Sequence, residues 1–409
     1  MTDKLDVIVW GATGFTGQLV VEYLVERYGI NGELKWGVAG RNESRVAEVC
    51  QRIAGDAGSG IPRVYADSTD EASMGALARS ARVICTTVGP YARYGSSLVE
   101  ACATEGTHYC DLTGEVQWMR RMIDTYQGRA EASGARIVHT CGFDSIPSDL
   151  GVLFMQQAMM TEHGTPAVQV KYRVADTRGG MSGGTVDSLI NLMEEAQVDA
   201  SLRELLADPY SLDPRNMPRG PDGPDQTGAV YDRDFRKWTA PFVMAGINTR
   251  VVRRSNALMG YPYGKDFRYD EAMLTSDGPL GYAAASMIAG GSLMVMAAAA
   301  FAPTRELLRR VAPSPGEGPD RSTIENGYFN IELLARHPAD ANKNMKGRVR
   351  GDRDPGYGAT AKMLAESAIC LAQDELEVGG GLWTPASAMG EKLIQRLVTS
   401  AGMTFELVS

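Results

Sequence analysis

The stretch that most constrains this chain is Val7-Ile8-Val9-Trp10-Gly11-Ala12-Thr13-Gly14-Phe15-Thr16-Gly17. Four consecutive apolar residues read as a strand buried on both faces, as in a parallel sheet. Glycine then recurs at every third position, and residues 18–24 continue as a helix. Strand, glycine turn and helix together make a dinucleotide cradle. Gly11 turns the chain off the strand, Gly14 leaves room for a pyrophosphate against the backbone, and Gly17 lets the helix lie close to the sheet. Ala12, Thr13, Phe15 and Thr16 complete the turn. The helix N-terminus offers unpaired N–H groups and the positive end of its dipole to the phosphates. The spacing is GxxGxxG rather than GxGxxG, and its force comes from its place between a strand and a helix.

The rhythm continues beyond this unit. Strands are expected at residues 34–40, 63–67, 83–88, 108–111 and 136–140, with helices at 43–53, 71–80, 97–105 and 117–133. The βαβ alternation predicts an α/β fold, a Rossmann-type doubly wound parallel sheet whose strand C-termini share one ligand-binding edge. After about residue 150 the alternation stops. Strands are expected at 168–174, 247–252, 328–333 and 345–350, and helices at 183–197, 360–372 and 385–400. Residues 208–228, rich in Pro, Asp and Gly, read as a long loop. The expected division is a dinucleotide-binding domain over 1–150, a second, mixed-sheet α/β domain over 151–355, and C-terminal helices over 356–409.

Charge and composition narrow the function. A net charge of -9 argues against a nucleic-acid partner. The six cysteines show no CxxC and no zinc spacing, and the four histidines are scattered, so no metal is expected. The cysteines read as reduced, buried thiols. The first strand begins too early to leave space for a signal peptide, so a cytoplasmic location is expected.

Several residues at the expected ligand edge carry chemistry. Gly40-Arg41-Asn42 ends the second strand, where an NAD site usually has an acid for the ribose 2′-OH. Arg41 instead suits a 2′-phosphate, with Arg45 one turn on, which points to NADP(H). Asp67 follows the third strand and is placed either at the adenine amino group or in a turn capping the next helix. Val88, Gly89 and Pro90 turn the chain off the fourth strand, under the expected nicotinamide position. Tyr91 then stands near the hydride, or packs as a core aromatic. Asp111, Glu115 and Asp144 lie in polar clusters at later strand ends, where they orient substrate, relay protons or cap turns. Tyr91 and Asp144 are the catalytic candidates. Residues 181–186 precede a helix and either cap it or face substrate. No GxSxG elbow supports a nucleophilic serine.

Taken together, residues 11–17, Ala39-Gly40-Arg41, Val88-Gly89-Pro90-Tyr91, 109–115, 142–149 and 381–390 resemble the saccharopine dehydrogenase-like oxidoreductases. The resemblance is nearest to the trans-acting enoyl reductase branch and runs almost to the C-terminus. It implies a Rossmann domain, a second α/β domain and a C-terminal segment returning to the Rossmann side. It also implies NADPH-dependent reduction of an enoyl thioester carried by a separate polyketide synthase. Two other functions stay open at this point. One is a saccharopine-type C–N oxidoreductase, with Arg253, Arg254 and Arg268 for substrate carboxylates. The other is a non-catalytic NADP-binding protein at a lipid surface.

Residues 278–304 contain no charged side chain and pass the length of a membrane-spanning helix. Ala, Gly and Ser dominate, and Gly290-Gly291 weakens a helix near its middle. A span would also separate the C-terminal third from the Rossmann domain. The expectation is a non-spanning helix, either buried or at a homodimer interface, or else facing a membrane peripherally or an acyl chain.

Overall fold

The computed structural model describes residues 4–179, 183–301, 303–306 and 318–408. The first half alternates as the apolar runs require. Strands β1 (Leu5–Trp10), β2 (Trp36–Gly40), β3 (Arg63–Tyr65), β4 (Ala81–Thr86), β5 (His108–Cys110) and β6 (Arg136–Val138) are joined by helices. These are α1 (Phe15–Tyr28), α2 (Glu43–Ala54), α3 (Glu71–Ser80), α4 (Tyr91–Tyr94), α5 (Ser96–Glu105) and α6 (Val116–Ser133). The strands pair in parallel, so their C-terminal ends meet at one edge. Trp10, Val38, Val9 and Cys85 are sealed from solvent, which is why the central strands carry no alternating polar residues.

The second half begins with α7 (Ile146–His163) and β7 (Gln169–Arg178), followed by α8 (Gly183–Val198), α9 (Ala200–Ala207), β8 (Val230–Asp232) and β9 (Lys237–Ala240). Then come α10 (Ala245–Leu258), β10 (Arg268–Leu274), α11 (Gly278–Ala300), β11 (Tyr328–Arg336), β12 (Met345–Gly351), β13 (Gly381–Trp383) and β14 (Met403–Val408). A second seven-stranded sheet has the order β14-β12-β11-β7-β10-β9-β8. It is mixed: β7 and β10 run parallel, and its other pairs are antiparallel.

The chain does not divide cleanly at its middle. β13 joins the first sheet as its edge, parallel to β6, giving the order β13-β6-β5-β4-β1-β2-β3. The helix Thr360–Gln373 packs on α1. Its buried Glu366 accepts hydrogen bonds from the hydroxyls of Tyr23 and Tyr28, each at 2.6 Å.

Three expectations are corrected. Residues 247–252 are not a strand but the heart of α10. Thr249, Val251 and Val252 suggested β-structure, yet Asn248, Arg250, Arg253 and Arg254 on other faces of the same helix are also buried. Tertiary hydrogen bonds override the weak preference of β-branched residues there. The C-terminal helix over 385–400 is two helices, Pro385–Ala388 and Gly390–Ser400, broken where Gly390 has φ +46°. Finally, α11 is not buried within the chain. Leu280, Met287, Leu293 and Met294 are 82%, 77%, 68% and 72% exposed.

Candidate functional site

The glycine turn forms the centre of the site. Gly11 has φ +95°, and a Cβ there would stand 2.7 Å from Thr87 Oγ1 and 2.8 Å from Val88 Cγ2. Only glycine allows both the turn and this contact with the β4 loop. A Cβ on Gly17 would stand 2.1 Å from the Gly11 carbonyl oxygen, so α1 rests directly on the turn. Gly14 differs. Its φ is -76°, and a Cβ would meet only Gly11 O, at 3.3 Å. Gly14 is the N-cap of α1 and supplies no side-chain cap, and the first turn holds no acid. The amides of Phe15 and Thr16 have no partner among the described residues. Ala12 is buried, while Thr13, Phe15 and Thr16 are half-buried beside it. An uncapped helix start over a space left by a missing side chain fits a pyrophosphate.

Phe15 is fixed from the far end of the chain. Its ring meets Tyr357 edge-on at 4.8 Å, and a Cβ on Gly318 would stand 2.3 Å from it. Arg41 and Arg45 are exposed at the end of β2 and make no ion pair among the described residues, which leaves both guanidinium groups for a 2′-phosphate. Asn42 Oδ1 accepts from Arg45 N at 3.0 Å and so caps α2. Asp67 is taken up locally. Its Oδ1 accepts from the Thr69 amide at 3.0 Å and hydroxyl at 2.8 Å, which hold its carboxyl below the usual range. The helix cap expected of it belongs to Asp70. Val88 N bonds Thr86 Oγ1 at 3.1 Å, and the Gly89–Pro90 peptide is cis.

Tyr91 is not placed beside a hydride acceptor. Its ring lies in the core against Trp118, at 5.5 Å. Its hydroxyl donates to Thr86 O at 3.2 Å and accepts from Leu112 N at 3.4 Å, and burial pushes the phenol further up. The structure makes it a packed aromatic under the loop. Glu115 caps that loop, accepting from Tyr91 N and Ala92 N at 2.8 Å each. Asp111 is fully buried and holds His139 Nδ1 at 2.6 Å, Tyr109 OH at 2.9 Å and the amides of Thr113 and Thr140. Both acids fix strand ends. Residues 181–182 lie outside the described residues.

Asp144 has the opposite character. It follows β6 at the ligand edge and has no hydrogen-bond partner among the described residues. A Cβ on Gly114 would stand 3.8 Å from its Oδ2 and 3.9 Å from Met244 Cε. The carboxyl sits in a recess crowded by protein but open to some solvent, and this desolvation pushes it up to about 7. Asp149, one turn into α7, is also pushed up to about 7 by burial. It is fully engaged, by Ser255 Oγ at 2.5 Å and Ala386 N at 2.8 Å. Behind Asp144, Ser145 bonds Asn248, which in turn bonds Glu271, a connection hidden in sequence because residue 248 lay in a segment read as a strand. Ser145 itself stood in the 142–149 motif.

Of the three arginines considered for substrate carboxylates, Arg268 is exposed on β10 and the other two are occupied. Arg253 binds Asp222 at 2.8 Å and the carbonyls of Pro209 and Tyr269. Arg254 donates to Leu212 O and, at 2.7 Å, to Leu382 O. They clamp the 208–228 loop and β13 rather than face a cleft.

A doubly wound sheet with this glycine turn at its ligand edge is the frame of a dinucleotide-binding domain, and its relatives make the class an NADP-dependent oxidoreductase. The profile of the saccharopine dehydrogenase NADP binding domain matches residues 7–138. A Mycobacterium tuberculosis protein, named as a candidate trans-acting enoyl reductase, is 39% identical over 98% of this chain and 97% of its own. The trans-acting enoyl reductases of Mycobacterium bovis and Mycobacterium ulcerans are each 37% identical over 96% of both chains. Saccharopine dehydrogenase (L-Glu forming) of Saccharomyces cerevisiae has the same fold, with TM-score 0.52 and 12% identity over 98% of this chain and 99% of that one. The chain belongs to the trans-acting enoyl reductase branch of the saccharopine dehydrogenase-like oxidoreductases.

Proposed function

We propose that this oxidoreductase reduces the C=C bond of an enoyl thioester presented by a separate polyketide synthase. The observation that carries the reading is Asp144, an unpartnered carboxyl at the ligand edge that keeps its proton near neutrality. The turn at residues 11–17 and Arg41 hold NADPH, which supplies the hydride when bound. Asp144 supplies the other half of the reduction: hydride arriving at Cβ leaves the C=C electron pair as a thioester enolate, and the Asp144 carboxyl gives its proton to Cα as the enolate collapses back to the carbonyl. Tyr91 has no part in this transfer. The relatives' name supports a substrate carried by another protein. The engagement of Arg253 and Arg254 weighs against a polycarboxylate such as saccharopine.

The test is NADPH oxidation with an α,β-unsaturated acyl pantetheine thioester and with no acceptor, beside NADP+ reduction with saccharopine, a secondary amine that gives hydride rather than takes it. Oxidation should require the enoyl thioester, and Asp144→Asn should lower kcat on the order of a hundredfold with NADPH affinity unchanged. Turnover of saccharopine alone, or a wild-type kcat in the variant, would refute the assignment.

The setting we propose is a membrane surface. Consecutive residues 293–296 of α11 are all exposed, so apolar side chains face outward around a full turn. A soluble partner covers one stripe of such a helix, whereas an acyl phase surrounds it. Both ends return to the protein: Tyr282 packs on Trp238 at 4.8 Å, and Arg305 Nη2 donates to Gln197 Oε1 on α8 at 2.9 Å. The helix therefore lies along the surface. The protein should sediment with lipid vesicles and be released by carbonate, and a Leu293→Glu, Met294→Glu double variant should stay in solution. Wild-type protein that ignores vesicles would end this part of the reading.

A further inference from the structure

Ser145 is the N-cap of α7, where a serine side chain ordinarily accepts from the helix's own first-turn amides. Here it makes no cap bond. It is wholly buried, and its Oγ lies 3.0 Å from Asn248 Oδ1 on α10. Asn248 Nδ2 lies 3.0 Å from Glu271 Oε2 on β10. The Tyr269 hydroxyl donates to Glu271 Oε1 at 2.6 Å. All four side chains are buried.

Glu271 sets the direction of this chain. Both of its carboxyl oxygens accept, Oε1 from the Tyr269 hydroxyl and Oε2 from the Asn248 amide, so that amide turns its NH2 toward Glu271 and its oxygen toward Ser145. Ser145 is then the donor. An amide does not hand a proton onward, so the chain holds geometry and does not conduct. It runs from the mixed sheet to the residue next to Asp144. Met244, the N-cap of α10 and one turn before Asn248, lies on the same side of Gly114 as Asp144.

We propose that Ser145, Asn248 and Glu271 are positioning residues that hold the turn at residues 142–145 and aim the Asp144 carboxyl at substrate. The proposal rests on Asp144 being the proton donor. It makes the second sheet a template for the catalytic turn. The turn's own backbone bonds, Ser145 N and Ile146 N to Gly142 O, fix its shape but not its orientation toward the mixed sheet.

The experiment is a double-mutant cycle on the full chain, read as NADPH oxidation with an enoyl pantetheine thioester. Ser145→Ala should lower kcat about tenfold, the scale of a small misalignment of a reacting group. NADPH affinity, read from cofactor fluorescence, should stay within about twofold, since none of the chain's side-chain bonds goes to residues 11–17 or Arg41. Ser145→Thr should restore most of the loss. In an Asp144→Asn background, Ser145→Ala should cost nothing further, because the group it aims is already gone. Asn248→Ala, scored the same way, carries the test if Ser145→Ala does not fold. A wild-type kcat in the folded single variant, or a loss that multiplies with that of Asp144→Asn, overturns the proposal. Failure of the donor assignment is visible separately, as an Asp144→Asn single variant with full activity.

Discussion

Arg41 stands where an acid would select NAD, and it is exposed with no ion pair among the described residues. A charge-assisted bond to a 2′-phosphate contributes about 1.5–3 kcal/mol. Arg41→Ala should therefore weaken NADP(H) binding about tenfold or more and leave NAD(H) binding unchanged, as direct titration of both cofactors will read. Equal losses for the two would place the guanidinium elsewhere. Asp144 and Tyr91 make the complementary point about single side chains. Both follow strand ends at the same edge, but one carboxyl is left without a partner while the phenol is held on both sides by backbone. A sequence gives residue type and order along the edge. It does not say which side chain turns inward, because that depends on what packs below, here Trp118.

The glycine turn predicts two different phenotypes from one element. Gly14→Val should keep the fold and abolish NADPH binding, because the protein itself leaves space there and the ligand takes it. Gly17→Ala should lower thermal stability, because its Cβ would press on the Gly11 carbonyl at 2.1 Å. Cofactor titration and a melting curve distinguish the two, and a Gly14→Val protein that binds normally would misplace the cradle. This element was legible because strand, turn and helix are contiguous and each has a local signal. The helices α2 and α3 were legible for the same reason, and so were β7, β11 and β12. What stayed hidden was structure made by distant partners. The residues of α10 read as a strand because its polar residues are satisfied by a loop, Asp222 and Asp225 among them, and not by solvent. The three-residue β13 carries no pattern of its own and exists because β6 offers it an edge. The Ser145–Asn248–Glu271 chain joins residues more than a hundred positions apart, and no spacing rule announces it.

For the molecule as a whole, burial lifts Asp144, Asp149, Asp213 and Glu271 each to about 7. Between their ordinary values and about 7 the folded state holds protons that the unfolded chain has released. Folding stability therefore falls as pH rises through that window, and levels off above it. Melting temperature should drop between pH 5.5 and pH 8, and Asp149→Asn should flatten part of the slope. A melting temperature that rises over this range would reverse the sign and refute the assignment. A different consequence follows from the return of β13 to the first sheet. The Rossmann sheet starts at Leu5 yet is not complete until Trp383 has been made. Roughly 240 residues separate β6 from its last neighbour, which at about 5–20 residues per second is roughly 12–50 s of synthesis. During that interval the edge of β6 and the face of α1 that Glu366 later ties down are bare on the ribosome. The order in which this protein is written is not the order in which it is closed.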